Sequence, residues 1–599
     1  MIVTDFAIGL VALASLVLPG WIVARAARVT QPLLAGYTGS VVAFVALVLA
    51  MDALGFRLDL LHCGAAWLTL TVATLLACRG KASHPPERET NPRFSWREHW
   101  PLLPALAPAF ALVAYRATAQ PLFGIDTIFR WNYLAEQLLA RGTLGFYPPV
   151  TAADYAIYSW PDGLAPAVSV QYFWAYALAG QSRAALTAPL VIFQFILLFI
   201  GAQALARRMF SDRAAAFAGA LLACSPVVLW STAMGQETGL TAIALVGLLL
   251  YLPDQKNLET TGALVFAGIA AGLGALAREY GVVIPVLGLG LALARRLSGR
   301  ALLIFFAAAA LSALPWYARN WLRTGNPLFN LDLFGWFPVN RTHDWLNQSF
   351  QIEFGWAHVP AGATRFVIVN CLASLLAGAA GAWLYFRQAR GLLVSAAVFV
   401  TLWVASIGYT AAGFTNAIRV LSPAIIVGAV LGGAACARWI PSRRHLAGVG
   451  FALAVFSTDA ALRALTLPGT VYKIPPGDWL AAGHAVQDYH ERPIYRALAR
   501  AAGSQRILTL GPNALLTSQG AQTLPLWSPE VGFLFDATLP TPEIARRLRA
   551  AGIGFVLLNK GAVNERYLAR SAFFRDPGPT LRPIWSDDEM VFLQVLDRP

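Results

Sequence analysis

Apolar runs, most of them near the length of a bilayer span, constrain this chain more than anything else in it: 6–24, 32–51, 59–78, 100–116, 183–205, 214–233, 236–252, 261–277, 280–295, 301–317, 366–386, 391–411, 417–438 and 446–465. A helix crossing hydrocarbon needs roughly 20 such residues. In lipid only helices and closed barrels satisfy every backbone polar group, and continuous rather than alternating apolar runs of this length read as helix. The expected fold is an all-α polytopic transmembrane bundle of about 14 helices. Composition agrees: 57% of the 599 residues are hydrophobic and 13% charged, against about 25% charged in a soluble domain. In water such a chain would expose large apolar patches.

The net charge of +14 does not point to nucleic acid, because the basic residues sit mainly in short clusters between the runs. These are Arg25/Arg28, Arg79/Lys81 onward, Arg207/Arg208/Arg213, Lys256, Arg295/Arg296/Arg300, Arg387/Arg390 and Arg438/Arg443/Arg444. With fourteen spans and the N-terminus outside, every cluster falls on the cytoplasmic side, as the positive-inside rule requires. Asp5 precedes the first run and Arg25 follows it, the reverse of a signal peptide's charge order, so the run reads as an uncleaved anchor. The expected location is the cell inner (plasma) membrane, and the Ala- and Arg-rich composition suggests a bacterium. Cys63, Cys78, Cys224, Cys371 and Cys436 lie within or at the ends of runs, form no zinc set, and read as helix-packing residues.

The same topology places three polar segments on the outer face: 117–182, 318–365 and the tail beyond about 470. The tail has a strand-like run RILTLGP (506–512), an amphipathic helix (541–552), and β runs IGFVLLNK (553–560) and MVFLQVLD (590–597). It reads as a small C-terminal α/β extracytoplasmic domain. The expected division is 1–99, about three helices and a cytoplasmic linker; 100–469, the transmembrane core; and 470–599, the α/β domain.

Ionisable residues near membrane depth are costly and mark candidate sites. Asp126, in FGIDTIFRWNYLAEQLLARG, lies about ten residues beyond the fourth run, on a stretch that reads as an amphipathic helix in the interface with Ile125, Ile128, Phe129, Leu134, Leu138 and Leu139 on its apolar side. It suits a base that deprotonates a water-borne hydroxyl, or equally an N-cap. Arg278, Arg319 and Arg419 stand at outer helix ends, against the positive-inside trend. Singly each suits snorkelling to headgroups; together they suit a phosphate, which an arginine fork grips at two points. Glu237, Glu279, Tyr155, Tyr158 and Trp160 are candidate substrate contacts; for Glu237 the alternatives are a structural role or a metal ligand, though a lone carboxylate has no ligand partner in sequence, and for the aromatic residues an interfacial belt. His343 and His358 fit no metal-ligand spacing, and no residue pattern indicates a divalent metal or other cofactor.

These residues resemble the GT-C class of membrane glycosyltransferases, to which the protein mannosyltransferase and lipid A aminoarabinose transferase families belong. Asp126 and the helix ending in LLARG are similar to that class's first outer loop and its catalytic acid. LARRMFSDRAAAFAGALLACSPVVLW (205–230) is similar to the cytoplasmic turn and proline-containing helix that follow. LPWYARNWLRTGNPLF (314–329) resembles a segment common in bacterial members, and Arg419 with Pro423 resembles an R-x-x-x-P start to a late helix. The likeness covers roughly 100–599, leaving the first three runs as an addition. It departs from the class where Thr127 follows Asp126 in place of a second acid, where Glu237 stands for a frequent Asp, and where Arg278 stands for a frequent Lys. The resemblance implies inverting transfer of a sugar from a polyprenyl-phosphate donor to an acceptor glycan, lipid or protein. Asp126 would be general base and Arg278, Arg319 and Arg419 would bind the donor phosphate. Partners would be the donor, the acceptor and membrane lipids, with no nucleic acid.

Rival readings are a multi-pass transporter or lipid flippase, an O-antigen ligase or polymerase-like enzyme, and a receptor whose tail binds a partner. A transporter needs charges at mid-depth and broken helices in matched halves, and the sequence offers no matched pair.

Overall fold

The structure is a computed structural model that describes residues 2–79, 99–124, 126–253, 260–359, 361–408, 413–440, 443–467, 493–511, 514–517 and 519–596. Lys81, Ile125, Lys256 and residues 470–492 of the tail, on which sequence expectations fall, lie outside the described residues.

Each of the apolar runs carries helix. Nine described helices are long and apolar enough to cross a membrane, and the pair Asp212–Ala223 and Pro226–Ala233 makes a tenth if counted as one span bent by 70°. Glu237–Tyr251, Thr261–Ala277, Glu279–Ala294 and Arg390–Ser406 have at most 17 residues, which at 1.5 Å per residue fall short of a core roughly 30 Å thick. About fourteen is therefore the number of apolar runs, and nine or ten described helices qualify as spans by length and composition. The chain is a multi-pass membrane protein.

Small residues let these helices approach closely, which in lipid replaces the missing hydrophobic drive. Where Ile2–Ala26 meets Pro32–Ala53, a Cβ on Gly20 would lie 2.2 Å from the Gly36 carbonyl oxygen, and Ser40 Oγ accepts the Gly20 N–H at 2.9 Å. The 70° bend follows from Pro226, which has no N–H to give the preceding turn and whose ring clashes with it. Behind the bend, Gly235 turns the chain at φ 68°, a left-handed conformation glycine adopts without steric cost. The Tyr172 hydroxyl donates to its carbonyl. Gln236 and Glu237 are thereby delivered to the buried end of the next helix, Glu237–Tyr251.

The tail forms a five-stranded mixed sheet in the order β2-β1-β3-β5-β4, with β1 Arg506–Leu510, β2 Thr523–Pro525, β3 Ile553–Asn559, β4 Leu581–Ser586 and β5 Met590–Val595. β1 runs parallel to β2 and β3, while β5 is antiparallel to β3 and β4. The sheet domain packs on the polar segments: Tyr155 and Leu346 are part of its core. Trp527 anchors the contact, 1% exposed, its indole N–H donating to the Ser159 carbonyl at 2.5 Å and its ring edge-on to Trp160 and His343. Burial pushes His343 down to about 3, so this ring is neutral. Asn340 adds hydrogen bonds to the Tyr155 hydroxyl (2.7 Å) and the Trp527 carbonyl (2.9 Å). Trp527→Ala is expected to cost about 3–5 kcal/mol, the usual loss for a buried tryptophan. Limited proteolysis of detergent-solubilised protein should then digest the sheet domain faster than in wild type.

Candidate functional site

Asp126 begins a π-helical turn, Thr127–Asn132, that runs into the helix Tyr133–Arg141. This segment does not lie free in an interface: Ile128 is in the core of the sheet domain, while Phe129, Trp131 and Leu134 are in the core of the bundle. It is a wedge between the two, because the sheet domain covers Ile128, an apolar residue that a lone interfacial helix would turn toward lipid. Asp126 occupies the N-cap position, yet its side chain makes no cap hydrogen bond.

The carboxylate instead faces arginine. Arg419 donates from Nη2 to Asp126 Oδ2 at 3.1 Å and from Nη1 to Gln236 Oε1. Gln236 in turn donates to Thr127 Oγ at 2.8 Å, which closes a ring back to the residue beside Asp126. Arg419 sits in the turn Ile418–Leu421, ahead of the helix Ser422–Trp439. Ser422 fixes that helix to the bent half-helix by a 2.9 Å hydrogen bond with Ser231. Arg278 caps Thr261–Ala277, pairs with Glu237 at 2.9 Å and Glu279 at 3.3 Å, and lies over the Trp131 ring. Arg130, one helical turn on from Asp126, pairs with Asp162 at 3.4 Å.

Burial works to raise the Asp126 carboxyl, but Arg130, Arg419 and Arg278 outweigh it and hold the group below the ordinary aspartate value. Asp162 goes the other way. Burial pushes it up to about 6 against the opposing pull of Arg130 and the Tyr147 hydroxyl, which donates to it at 2.9 Å. Two acids one loop apart are thus driven to opposite sides of their usual range, a pattern common at functional sites.

Arg278 and Arg419 therefore converge with Glu237, Glu279 and Asp126, and Arg319 is placed elsewhere. It donates to the carbonyls of Tyr147 (2.6 Å) and Leu144 (2.7 Å) and pairs with Asp52 at 3.4 Å. Arg323, one turn further, holds the Pro148 carbonyl at 2.6 Å and Asp154 at 2.9 Å. Together they buckle the 144–148 strap to the helix Gly299–Thr324. Tyr155 and Tyr158 are 1% exposed, the latter donating to Asp162 at 3.3 Å. Trp160 packs between Phe129, His343 and Trp527.

Arg130, Gln236 and Trp131 join the site without having been singled out for it. Only Arg130 carried a usable signal, its spacing of four from Asp126 on a helix. Among the described residues no group of three or more His, Cys, Asp or Glu side chains could hold a metal ion.

Residues 166–318 match the family model described as dolichyl-phosphate-mannose-protein mannosyltransferase. No curated protein matches the chain at a significant level. Among solved structures, apo ArnT from Cupriavidus metallidurans aligns at 14% identity over 84% of this chain and 99% of that one, with a TM-score of 0.52. The same protein bound to undecaprenyl phosphate aligns at 15% identity over 83% and 97%, TM-score 0.48. The archaeal oligosaccharyltransferase AglB from Archaeoglobus fulgidus, in complex with an inhibitory peptide and a dolichol-phosphate, aligns at 13% over 78% and 70%, TM-score 0.46. In architecture, with its helical bundle and small sheet domain, this chain has the fold of the GT-C membrane glycosyltransferases.

Proposed function

We propose that the chain is a membrane glycosyltransferase that moves a sugar from a polyprenyl-phosphate donor to an acceptor hydroxyl, with inversion. The observation that carries this reading is one carboxylate, Asp126, held ionised by Arg419, Arg130 and Arg278. In the reaction the acceptor oxygen would bond to the anomeric carbon as the bond from that carbon to the phosphate oxygen breaks. The acceptor proton would pass to Asp126, as general base. Charge growing on the departing lipid phosphate would be met by Arg278 and Arg419, preorganised cations of the kind that usually supply a large part of catalysis. Arg319, with Arg323, would act on this centre indirectly, by fixing the strap from which Tyr147 reaches Asp162. The distribution of Lys and Arg supports a chain in the cell inner membrane with Asp126 and the sheet domain on the extracytoplasmic face. The family description of the 166–318 match, a transferase using a dolichyl-phosphate sugar, and the undecaprenyl phosphate bound by ArnT support a lipid-phosphate donor.

Arg278→Ala is expected to lower kcat/KM for the donor by about 100-fold while leaving the acceptor KM within about twofold. Steady-state kinetics on purified protein in lipid nanodiscs, varying each substrate separately, checks it. An unchanged donor kcat/KM would remove Arg278 from the phosphate site.

A further inference from the structure

Three buried polar atoms around Arg278 have no hydrogen-bond partner among the described residues: Glu237 Oε2, Glu279 Oε2 and Trp131 Nε1. Glu237 is 0% and Trp131 2% exposed. Leaving such a group unpaired costs about 1–3 kcal/mol, more for a charged one, and native structures rarely tolerate it without a ligand, ion or water that completes the bonding. Here three occur together, and each belongs to a residue that Arg278 touches: Glu237 and Glu279 by ion pair, Trp131 by its ring face.

The free valences specify what would fill them. Two carboxylate oxygens accept and one indole N–H donates. Adjacent hydroxyls of a sugar ring offer that combination, because each hydroxyl both donates and accepts. The Trp131 face is occupied by the Arg278 guanidinium, so this ring contributes its N–H edge rather than a stacking platform. Charge narrows the choice further. The two acceptor atoms left for an occupant are both carboxylate oxygens, Glu237 Oε2 and Glu279 Oε2, so a carboxylate on the sugar bound against them would be repelled and desolvated at once, whereas the donor phosphate would be met by the guanidinium groups of Arg278 and Arg419.

We infer that Trp131, Glu237 and Glu279, gathered on Arg278, form the pocket that reads the donor's sugar, and that it takes a hydroxyl-rich sugar without a carboxylate and rejects uronic acids. The pocket has this meaning only if a lipid-linked sugar is the donor. The test is a matched set of polyprenyl-phosphate donors on purified protein in nanodiscs: a neutral sugar, its uronic acid, and deoxy analogues lacking one hydroxyl. Wild type should prefer the neutral sugar over its uronic acid by at least about 100-fold in kcat/KM and lose at least about 100-fold on removal of one hydroxyl, as sites built to hydrogen-bond a hydroxyl do. Glu279→Gln should shrink the neutral-to-uronic ratio at least about tenfold, and Trp131→Phe should shrink a deoxy penalty by a similar factor. Inhibition by unsubstituted polyprenyl phosphate should persist in both variants, which shows that they are folded and that the phosphate site is intact. Unchanged ratios in both variants, with transfer still running, would overturn the sugar pocket and leave the three atoms to water. Absence of turnover with every donor in wild type would instead bring down the transferase reading itself.

Discussion

Replacing Asp126 by Asn is expected to lower the transfer rate by about 1,000-fold, within the range general-base catalysis supplies, while membrane expression and thermal stability stay near wild type. Asn keeps the shape of the side chain and an oxygen for the 3.1 Å hydrogen bond from Arg419, and Arg419 also retains Gln236. Lost are the negative charge and the capacity to take a proton. The pH dependence follows from the same surroundings. Because three arginines hold the Asp126 carboxyl below its ordinary value, the proposed base stays ionised as pH falls, until pH drops through that lowered value. An acid limb of kcat/KM near pH 6 would report Asp162, which burial pushes up to about 6, and Asp162→Asn should abolish that limb. Measuring kcat/KM from pH 4 to 8 for wild type and both variants decides the assignment.

Arg419→Ala is expected to lower donor kcat/KM by about 100- to 1,000-fold and, unlike Asp126→Asn, to lower the melting temperature as well. The Arg419 side chain is 8% exposed and its partner Asp126 28%. Truncation would strand Asp126 and Gln236 together, and breaking a buried pair costs about 3–5 kcal/mol, less here because Asp126 is partly solvated. Arg419→Lys separates the two effects. A lysine restores the charge but not the planar fork that spans Asp126 and Gln236, so stability should recover further than activity. Donor kinetics set beside thermal unfolding in the same detergent check this.

Much of the fold could be read from the chain because its elements carry local signals. Runs near twenty residues long announce helices, and β1, β3 and β5 lie within the three apolar runs expected to be strands. β2, only three residues long, and β4, interrupted by Pro583, carry almost no period-two pattern. The 70° bend at Pro226 lies within a segment that reads as one continuous apolar run. Lateral position in the bundle is not written locally at all. Arg278, Arg319 and Arg419 look alike in sequence, each at a helix end on one face. Packing sends two of them to Asp126 and the third to Asp52 and the strap carbonyls. The Arg130–Asp162 pair is 32 positions apart, with the helix Tyr133–Arg141 between its members, and could not have been paired from spacing. Gln236, a neutral amide beside Glu237, gains its role only from the turn at Gly235 that aims it at Arg419.

The central claim, that Asp126 serves transfer from a lipid-linked sugar, is tested most directly by release of polyprenyl phosphate. Purified wild type and Asp126→Asn in nanodiscs would be given a panel of polyprenyl-phosphate sugars with a hydroxyl acceptor. Release from at least one donor by wild type, reduced about 1,000-fold in the variant, is the predicted result. Equal release by both proteins, or none from any donor by wild type, would contradict it.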